Sequence, residues 1–272
     1  MANNVLPDPL NVNMVSPDPL PTSNRTLWRL EARAGRIPGI SLVDIFGRNP
    51  DIDSGSGFED IWNGGGEYTG LNATAAETIS VVSDSADDNA AGIGARTMRL
   101  DGLDADYNEI SEEITLTGLT PVLTVQSFIR CSFAITLTAG SNGEPVGTIT
   151  ANQSTSTGNV FFVMPIGSNR TMVASYTVPA GKTAYIDGTF ASLSKKTAAT
   201  SEIKGKVRIL GGVFEVAEWY SVNATGSSYV HRDFEVLSRA VPEKSDLIIS
   251  ADADTNNTGI SAGFTIIIED NE

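Results

Sequence analysis

A strand–turn–strand pattern near residue 100 is the feature that most constrains what this chain can fold into. Side chains alternate along Arg96–Asp101 and again along Glu109–Thr117, where the apolar residues, such as Ile110 and Ile114, fall on one parity. The stretch between them, Gly102–Asn108, is rich in turn-forming residues. Two alternating segments joined by a short polar turn predict a β-hairpin.

Similar segments recur from about residue 77, separated by stretches rich in Ser, Asp, Asn and Gly. Only 19% of the residues are charged, whereas roughly 25% is usual, and this composition favours strands and turns over helices. In a first unit we predict strands at Thr78–Ser83, Arg96–Asp101, Glu109–Thr117, Val122–Thr138, Gly147–Ala151 and Val160–Met164. In a second unit we predict strands at Thr171–Val178, Thr183–Ser192, Ile203–Leu210, Gly212–Trp219, Tyr229–Leu237, Asp246–Ala251 and Ser261–Glu269.

Many short strands with frequent turns are typical of sandwiches and jelly rolls. We therefore predict an all-β fold, with two β-sandwich or jelly-roll-like units preceded by an extended N-terminal arm with one short helix. The predicted domains are the arm, short helix and linker at 1–70, a first β domain at 71–166 and a second β domain at 167–272. Residues 40–70 are interpreted as an irregular linker.

The first 21 residues contain a proline repeat that cannot form a core of its own. Pro7-Asp8-Pro9-Leu10 recurs as Pro17-Asp18-Pro19-Leu20, and prolines hold the chain extended. One interpretation is a disordered tail. The other, which we favour, is an arm that threads onto a neighbouring subunit, with Leu10 and Leu20 as anchors.

The best helix candidate covers residues 23–34, and it carries arginines at every fourth position. The three arginines form a basic stripe on an otherwise acidic protein. This stripe could be a solvated helix face, or a docking face for an acidic partner such as another copy of the chain. The residues predicted to contact a partner are Leu10, Leu20, Arg25, Trp28, Arg29, Arg33, Trp62 and Tyr107.

The net charge of −15 at pH 7 makes broad contact with nucleic acid unfavourable, because such contact needs a basic surface. No apolar run reaches the ~18 residues needed to span a bilayer. We therefore expect neither nucleic acid nor a membrane among the partners.

Candidate chemistry is sparse, so we expect no enzyme, no cofactor and no metal. The single histidine, His231, lies in a strand-like segment without a nucleophile elbow. The single cysteine, Cys131, is interpreted as a small buried apolar residue. Acidic stretches at Asp51–Gly55 and Asp252–Asn257 offer alternating oxygen ligands for calcium, but neither has the frame of a calcium-binding loop.

Several segments together resemble a known family. They are Gly92–Thr97 continuing to Gly102–Glu112, Asp44–Pro50 with Ile61-Trp62, Tyr176–Thr183, and Pro242–Asp246 with Ala262–Phe264. This set is similar to virion structural proteins of tailed bacteriophages, many of them marine phages or cyanophages. The resemblance spans roughly residues 44–269 and leaves the arm outside it. It implies a place in a virion and brings no catalytic residues.

We expect a non-enzymatic particle component, most simply a capsid-surface decoration (cement) protein that contacts other virion proteins. A tail component, such as a fibre, ring or tail-surface adaptor, is the alternative, and a glycan-binding or glycan-cleaving tail protein is a third. Because sites on a particle repeat by rotation, we also expect a symmetric homo-oligomer, and a trimer is the favoured form.

Overall fold

The chain folds almost entirely into antiparallel β-strands, as a computed structural model shows for residues 25–233 and 240–271. This confirms the predicted all-β class, and the predicted helix is present as α1. The helix and the first strands are α1 (Arg25–Arg33), β1 (Ile40–Ile52), β2 (Glu59–Asp60), β3 (Glu77–Ser83), β4 (Ala95–Leu103), β5 (Glu109–Thr115), β6 (Val122–Phe128) and β7 (Arg130–Ala139). The later strands are β8 (Ile149–Gln153), β9 (Val160–Met164), β10 (Ser175–Thr177), β11 (Lys182–Arg208), β12 (Glu215–Asp233), β13 (Asp246–Ala253) and β14 (Thr258–Asp270).

The first set of strands forms two sheets around one core. One sheet has the order β6-β3-β8-β9, and the other has the order β5-β4-β7. The predicted hairpin is present as β4 and β5, with Leu103 paired to Glu109. The single strand predicted at Val122–Thr138 is instead two strands, because the chain passes from one sheet to the other at Ile129. The largest side chains fully buried here are Phe128, Phe161, Phe162, Ile79, Met98, Leu100, Leu103, Leu116, Ile149 and Met164.

The second set of strands forms one seven-stranded sheet organised by β11. One edge of β11 pairs with β14 along its first half and with β13 along its last residues, while the other edge pairs with β12. The two strands predicted at Thr183–Ser192 and Ile203–Leu210 are therefore one strand of 27 residues. The polar stretch between them runs along β12 with one register shift, where Lys196 and Thr197 have no partner in the ladder and are exposed to solvent.

The two end strands of this sheet approach each other closely. The sheet path runs β1-β14-β11-β13-β10, yet Gly47 of β1 lies against Ala174, the residue before β10. A Cβ atom at Gly47 would lie 2.3 Å from both the Ala174 nitrogen and the Ile61 oxygen, so only glycine fits. The interpretation of residues 40–52 as irregular linker is wrong, because β1 pairs with β14 and buries Ile45 and Ile52. The domain boundaries at 70 and 166 stay predictions.

A buried carboxylate, Asp246 of β13, joins the seven-stranded sheet to the three-stranded one. Arg130 of β7 donates to its Oδ1 at 3.1 Å, and Arg208 of β11 donates to its Oδ2 at 2.7 Å. Thr177 also donates to Oδ1, at 2.6 Å. Arg130 reaches the Ala73 carbonyl as well, at 2.9 Å. A charge this deeply buried is tolerated because it is paired and fully hydrogen-bonded.

A second buried carboxylate, Asp88, fixes the loops of the first unit. It accepts hydrogen bonds from the backbone of Ala95, Val146 and Gly147 at 2.7, 3.0 and 2.9 Å, and from the Ser83 hydroxyl at 2.6 Å. These partners lie on different connections between strands, so one side chain holds several loop ends together.

Cys131 lies buried on β7, as expected for a small apolar residue. Burial raises the pKa of its thiol to about 12, and the nearby Asp101 carboxylate acts in the same direction. The thiolate, which is the reactive form, is therefore scarce near neutral pH.

Replacing Asp246 with Ala should lower the free energy of unfolding by roughly 3–5 kcal/mol, because two guanidinium groups lose their shared carboxylate. Urea denaturation measures this change. Asp106→Ala is the matched control, since Asp106 is exposed in the β4–β5 turn and should change stability by about 0.5 kcal/mol or less. Equal losses in the two variants would contradict the role assigned to Asp246.

Cys131 should react with a thiol reagent at pH 8 at least about a hundredfold more slowly in the folded protein than in urea, because burial both raises the pKa of its thiol and covers the sulfur. A colorimetric disulfide reagent follows the reaction. Reaction of the folded protein at the rate of a free thiol would show that Cys131 is accessible and would contradict its burial.

Candidate functional site

Helix α1 is held on the seven-stranded sheet by its arginines. Arg29 reaches the Asp187 carboxylate at 2.5 Å and lies 3.9 Å from Asp233, the last described residue of β12. Asp187 sits at a register shift in the β11–β14 ladder, between Ile186 and Gly188. Its side chain is almost completely buried, so Arg29 provides its counter-charge.

One turn later, Arg33 pairs with Asp44 of β1 at 2.5 Å. Arg29 and Arg33 therefore face acidic residues of their own chain. The prediction that the stripe docks onto a partner stays a prediction. The side chain of Arg25, like the arm residues Leu10 and Leu20, lies outside the part that the structure describes.

Two other predicted contact residues are buried within the chain. Tyr107 adopts a φ of 70° in the β4–β5 turn, and its ring packs into the first core with the Arg130 guanidinium 5.7 Å away. Trp62 is buried against Tyr68 and donates to the Gly66 carbonyl at 3.2 Å. Neither ring is available as a surface for a partner, because intrachain packing covers both. Trp28 is half-buried on α1.

The hairpin formed by β11 and β12 carries aromatic side chains on its outward face. Cross-strand pairs place Phe190 beside His231 and Lys204 beside Trp219. The exposed fractions of Trp219 and Tyr229 are 56% and 63%. The sequence did not predict this face. The polar middle of β12 led to two separate predicted strands, Gly212–Trp219 and Tyr229–Leu237, in place of one.

One end of this outward face is a row of rings that crosses several strands. Phe46 of β1 stacks on Phe190 of β11 with ring centroids 6.3 Å apart. Gly263 of β14, the strand between β1 and β11, pairs with both residues and leaves room for the two rings to meet. Tyr229 continues the row at 6.4 Å from Phe190. His231 follows, with Nε2 3.0 Å from Asp233. His231 is thus a strand residue in a surface row, as the sequence predicts.

The other end of the outward face is a cation held between two rings. The Lys204 ammonium lies 3.5 Å from the centroid of Phe58 and 3.9 Å from that of Trp219. The Trp219 indole donates to Glu202 at 2.6 Å. These contacts hold an exposed tryptophan in one orientation, which is a property of residues that dominate protein–protein interfaces.

The connection between β11 and β12, together with the start of β12, exposes large apolar side chains. We call this group the apolar hairpin end: Ile209, Leu210, Val213 and Val216. The exposed fractions of Leu210 and Val213 are 56% and 79%. Exposed apolar groups gathered in one place favour contact with another molecule.

A cavity of about 540 Å³ lies between the two units. Its acidic lining residues are already partnered within the chain: Asp44 by Arg33, Asp101 by Arg99, and Glu109 by Lys182. Its fourth charged residue, Arg170, stacks on the Phe133 ring at 5.0 Å. Such a cleft is better described as part of the junction between the sheets than as a ligand site.

The two acidic stretches considered for calcium lie against each other. Asn257 donates its backbone N–H to Asp53 at 2.9 Å, and Ser54 donates to the Asn256 side chain at 3.0 Å. Within residues 25–233 and 240–271, no three His, Cys, Asp or Glu side chains gather closely enough to hold a metal ion. The two stretches therefore bind each other through hydrogen bonds. Among the same residues, none of the helices has the length and apolarity to span a membrane.

The chain has two weak structural similarities to known proteins and no match in sequence. No protein-family model and no curated protein sequence matches this chain. One similar solved structure is that of the infectious bursal disease virus Gx strain, with 8% identity, 84% of this chain and 72% of that chain covered, and a TM-score of 0.21. Another is the VP2 subviral particle of infectious bursal disease virus, with 6% identity, coverage of 86% and 73%, and a TM-score of 0.21. At that TM-score neither likeness carries an argument about fold or function.

Replacing Arg29 with Ala should lower the free energy of unfolding by about 1–3 kcal/mol, because the buried Asp187 carboxylate loses its partner. Urea denaturation measures the change. Arg36→Ala is the control, since Arg36 pairs with Glu31 at 2.7 Å on the exposed surface and should contribute about 0.5 kcal/mol or less. If Arg29→Ala is as stable as the control, the helix is not held through this pair.

Proposed function

We propose that this chain is a non-enzymatic structural protein of a virus particle, and that it decorates the surface of a tailed-phage capsid. The observation that carries the proposal is the apolar hairpin end, where Leu210 and Val213 present apolar surface to solvent. Surface of this kind is covered in an assembled particle and is unfavourable in an isolated monomer. The resemblance of residues 44–269 to virion structural proteins supports the particle as the place of assembly.

The partner at the apolar hairpin end is another virion protein, and the major capsid protein fits the proposal best. The Trp219 ring near that end can fix the orientation of a bound partner, because it is exposed and is itself held in place by Lys204 and Glu202. The net charge of −15 keeps the remaining surface well solvated. Neither nucleic acid nor a membrane belongs to the proposed contacts.

We also propose that the protein assembles with itself as a trimer. Sites on a particle repeat by rotation, and a closed cyclic oligomer matches such a site. Strand β12 supports self-association, because among the described residues it pairs only with β11.

Purified protein should co-sediment with tail-free capsids that lack it, at on the order of hundreds of copies per particle, as capsid symmetry requires. Val213→Asp should weaken this binding by about tenfold or more, because a carboxylate would enter an apolar contact. Ile166→Asp is the matched control, since Ile166 is 62% exposed on a loop of the first unit. Circular dichroism verifies that both variants fold.

The same experiment separates the alternatives. Binding to isolated tails in small multiples set by tail symmetry would overturn capsid decoration and indicate a tail component. Absence of binding to both capsids and tails would overturn the virion proposal. Equal binding by Val213→Asp and by the Ile166→Asp control would show that the apolar hairpin end is not the contact.

A further inference from the structure

The free edge of β12 is unusually long and unprotected. Strand β12 has 19 residues, or about 60 Å of backbone at roughly 3.3 Å per residue. Among the described residues, the edge opposite β11 makes no strand pairing between Val216 and His231. Proteins guard such edges with prolines, lysines or bulges. This segment contains no proline and no lysine, and Glu218 is its only carboxylate. Its one bulge, at Ala217, lies beside its first residue, so the edge from Glu218 to His231 has no bulge on β12.

The sequence of the N-terminal arm has a matching property. Its five prolines occupy positions 7, 9, 17, 19 and 21, all of them odd. In an extended strand, the backbone N–H and C=O groups of alternate residues face the same edge. All five missing N–H groups would therefore face one edge, and the even-numbered residues would offer a complete set of donors and acceptors along the other. Proline is tolerated in a sheet only in this arrangement.

Side chains follow the same parity. The even positions between 6 and 20 include the apolar residues Leu6, Leu10, Val12, Met14 and Leu20. In a strand these side chains share one face. The residues that can hydrogen-bond to a sheet edge thus also carry most of the apolar side chains of the arm.

We propose that residues 5–21 of one copy add as an outer strand to the free edge of β12 in a neighbouring copy. The even-numbered backbone groups pair with β12, and the prolines face solvent. Residues 5–21 number 17, which gives about 56 Å when extended and matches the open edge. This inference rests on the self-association proposed above, and it names the surfaces that make that contact.

The position of α1 assigns the arm to a neighbouring copy. Arg29 lies close to Asp233, and α1 begins one helical turn earlier, at Arg25, so the first described residues of the chain lie near the C-terminal end of β12. On its own β12 the arm would have to run parallel to that strand. All strand pairs among the described residues are antiparallel. The arm of a neighbouring copy can run antiparallel to β12. If each copy donates its arm to the next, head to tail, the copies form a closed ring.

Two valines in the arm allow a matched test. Val12 is at an even position and Val15 at an odd one. Val12→Pro removes a donor that faces β12, whereas Val15→Pro removes one that faces solvent. In the full-length protein, light scattering should give three times the 28.7 kDa chain mass for the native sequence. Val15→Pro should give the same mass. Val12→Pro should raise the subunit dissociation constant by about tenfold or more.

Hydrogen exchange gives the second measurement. The protection factors of the Val216–His231 amides should fall by at least about tenfold in Val12→Pro and stay unchanged in Val15→Pro. A monomeric native protein would overturn donation to a neighbouring copy. Equal effects of the two substitutions, or unchanged protection of β12 in both, would overturn the pairing itself. None of these readouts uses capsids, so a failure of capsid binding and a failure of arm pairing are distinguishable.

Discussion

The carboxylate of Asp246 is the constraint on which the arrangement of the two units depends. It lies on β13 and binds Arg130 of β7 and Arg208 of β11, so three strands from two sheets meet at one buried charge. Removing three charged groups from water is unfavourable unless all of them are paired at once. Other placements of the two sheets would leave at least one charge buried alone. This cluster therefore selects one arrangement, and the Tyr107 ring beside Arg130 extends the selection to the β4–β5 turn.

The fold class could be predicted from the sequence because most strands bury one face and alternate accordingly. The β4–β5 hairpin is the clearest case, with Ile114 and Leu116 buried on one side. Strand β1 could not be predicted in the same way, since Gly47 and Pro50 interrupt its pattern. Its structure depends on β14 and on a close approach to Ala174, both distant in sequence. Local patterns do not contain such contacts.

The candidate surface was less predictable than the fold. An aromatic residue in a turn, such as Tyr107, suggests exposure, but packing against Arg130 covers it. The outward face of the β11–β12 hairpin could be identified only after the strands were paired, because Trp219 and Tyr220 are adjacent and point to opposite faces. From the sequence, the arginines of α1 could form either a solvated face or a docking face for an acidic partner. Their acidic target, however, is in the same chain, at Asp44 and Asp187.

Strand β11 has a mechanical consequence. A single backbone forms the ladder with β14 at its start and the ladder with β13 at its end. If β11 leaves the sheet, β14 and β13 lose their pairing partner at the same time, so the two ladders are lost together. A pull applied to the hairpin is shared among hydrogen bonds that lie across the strand and are loaded in shear. One continuous strand thus connects the apolar hairpin end to Asp187, where α1 docks.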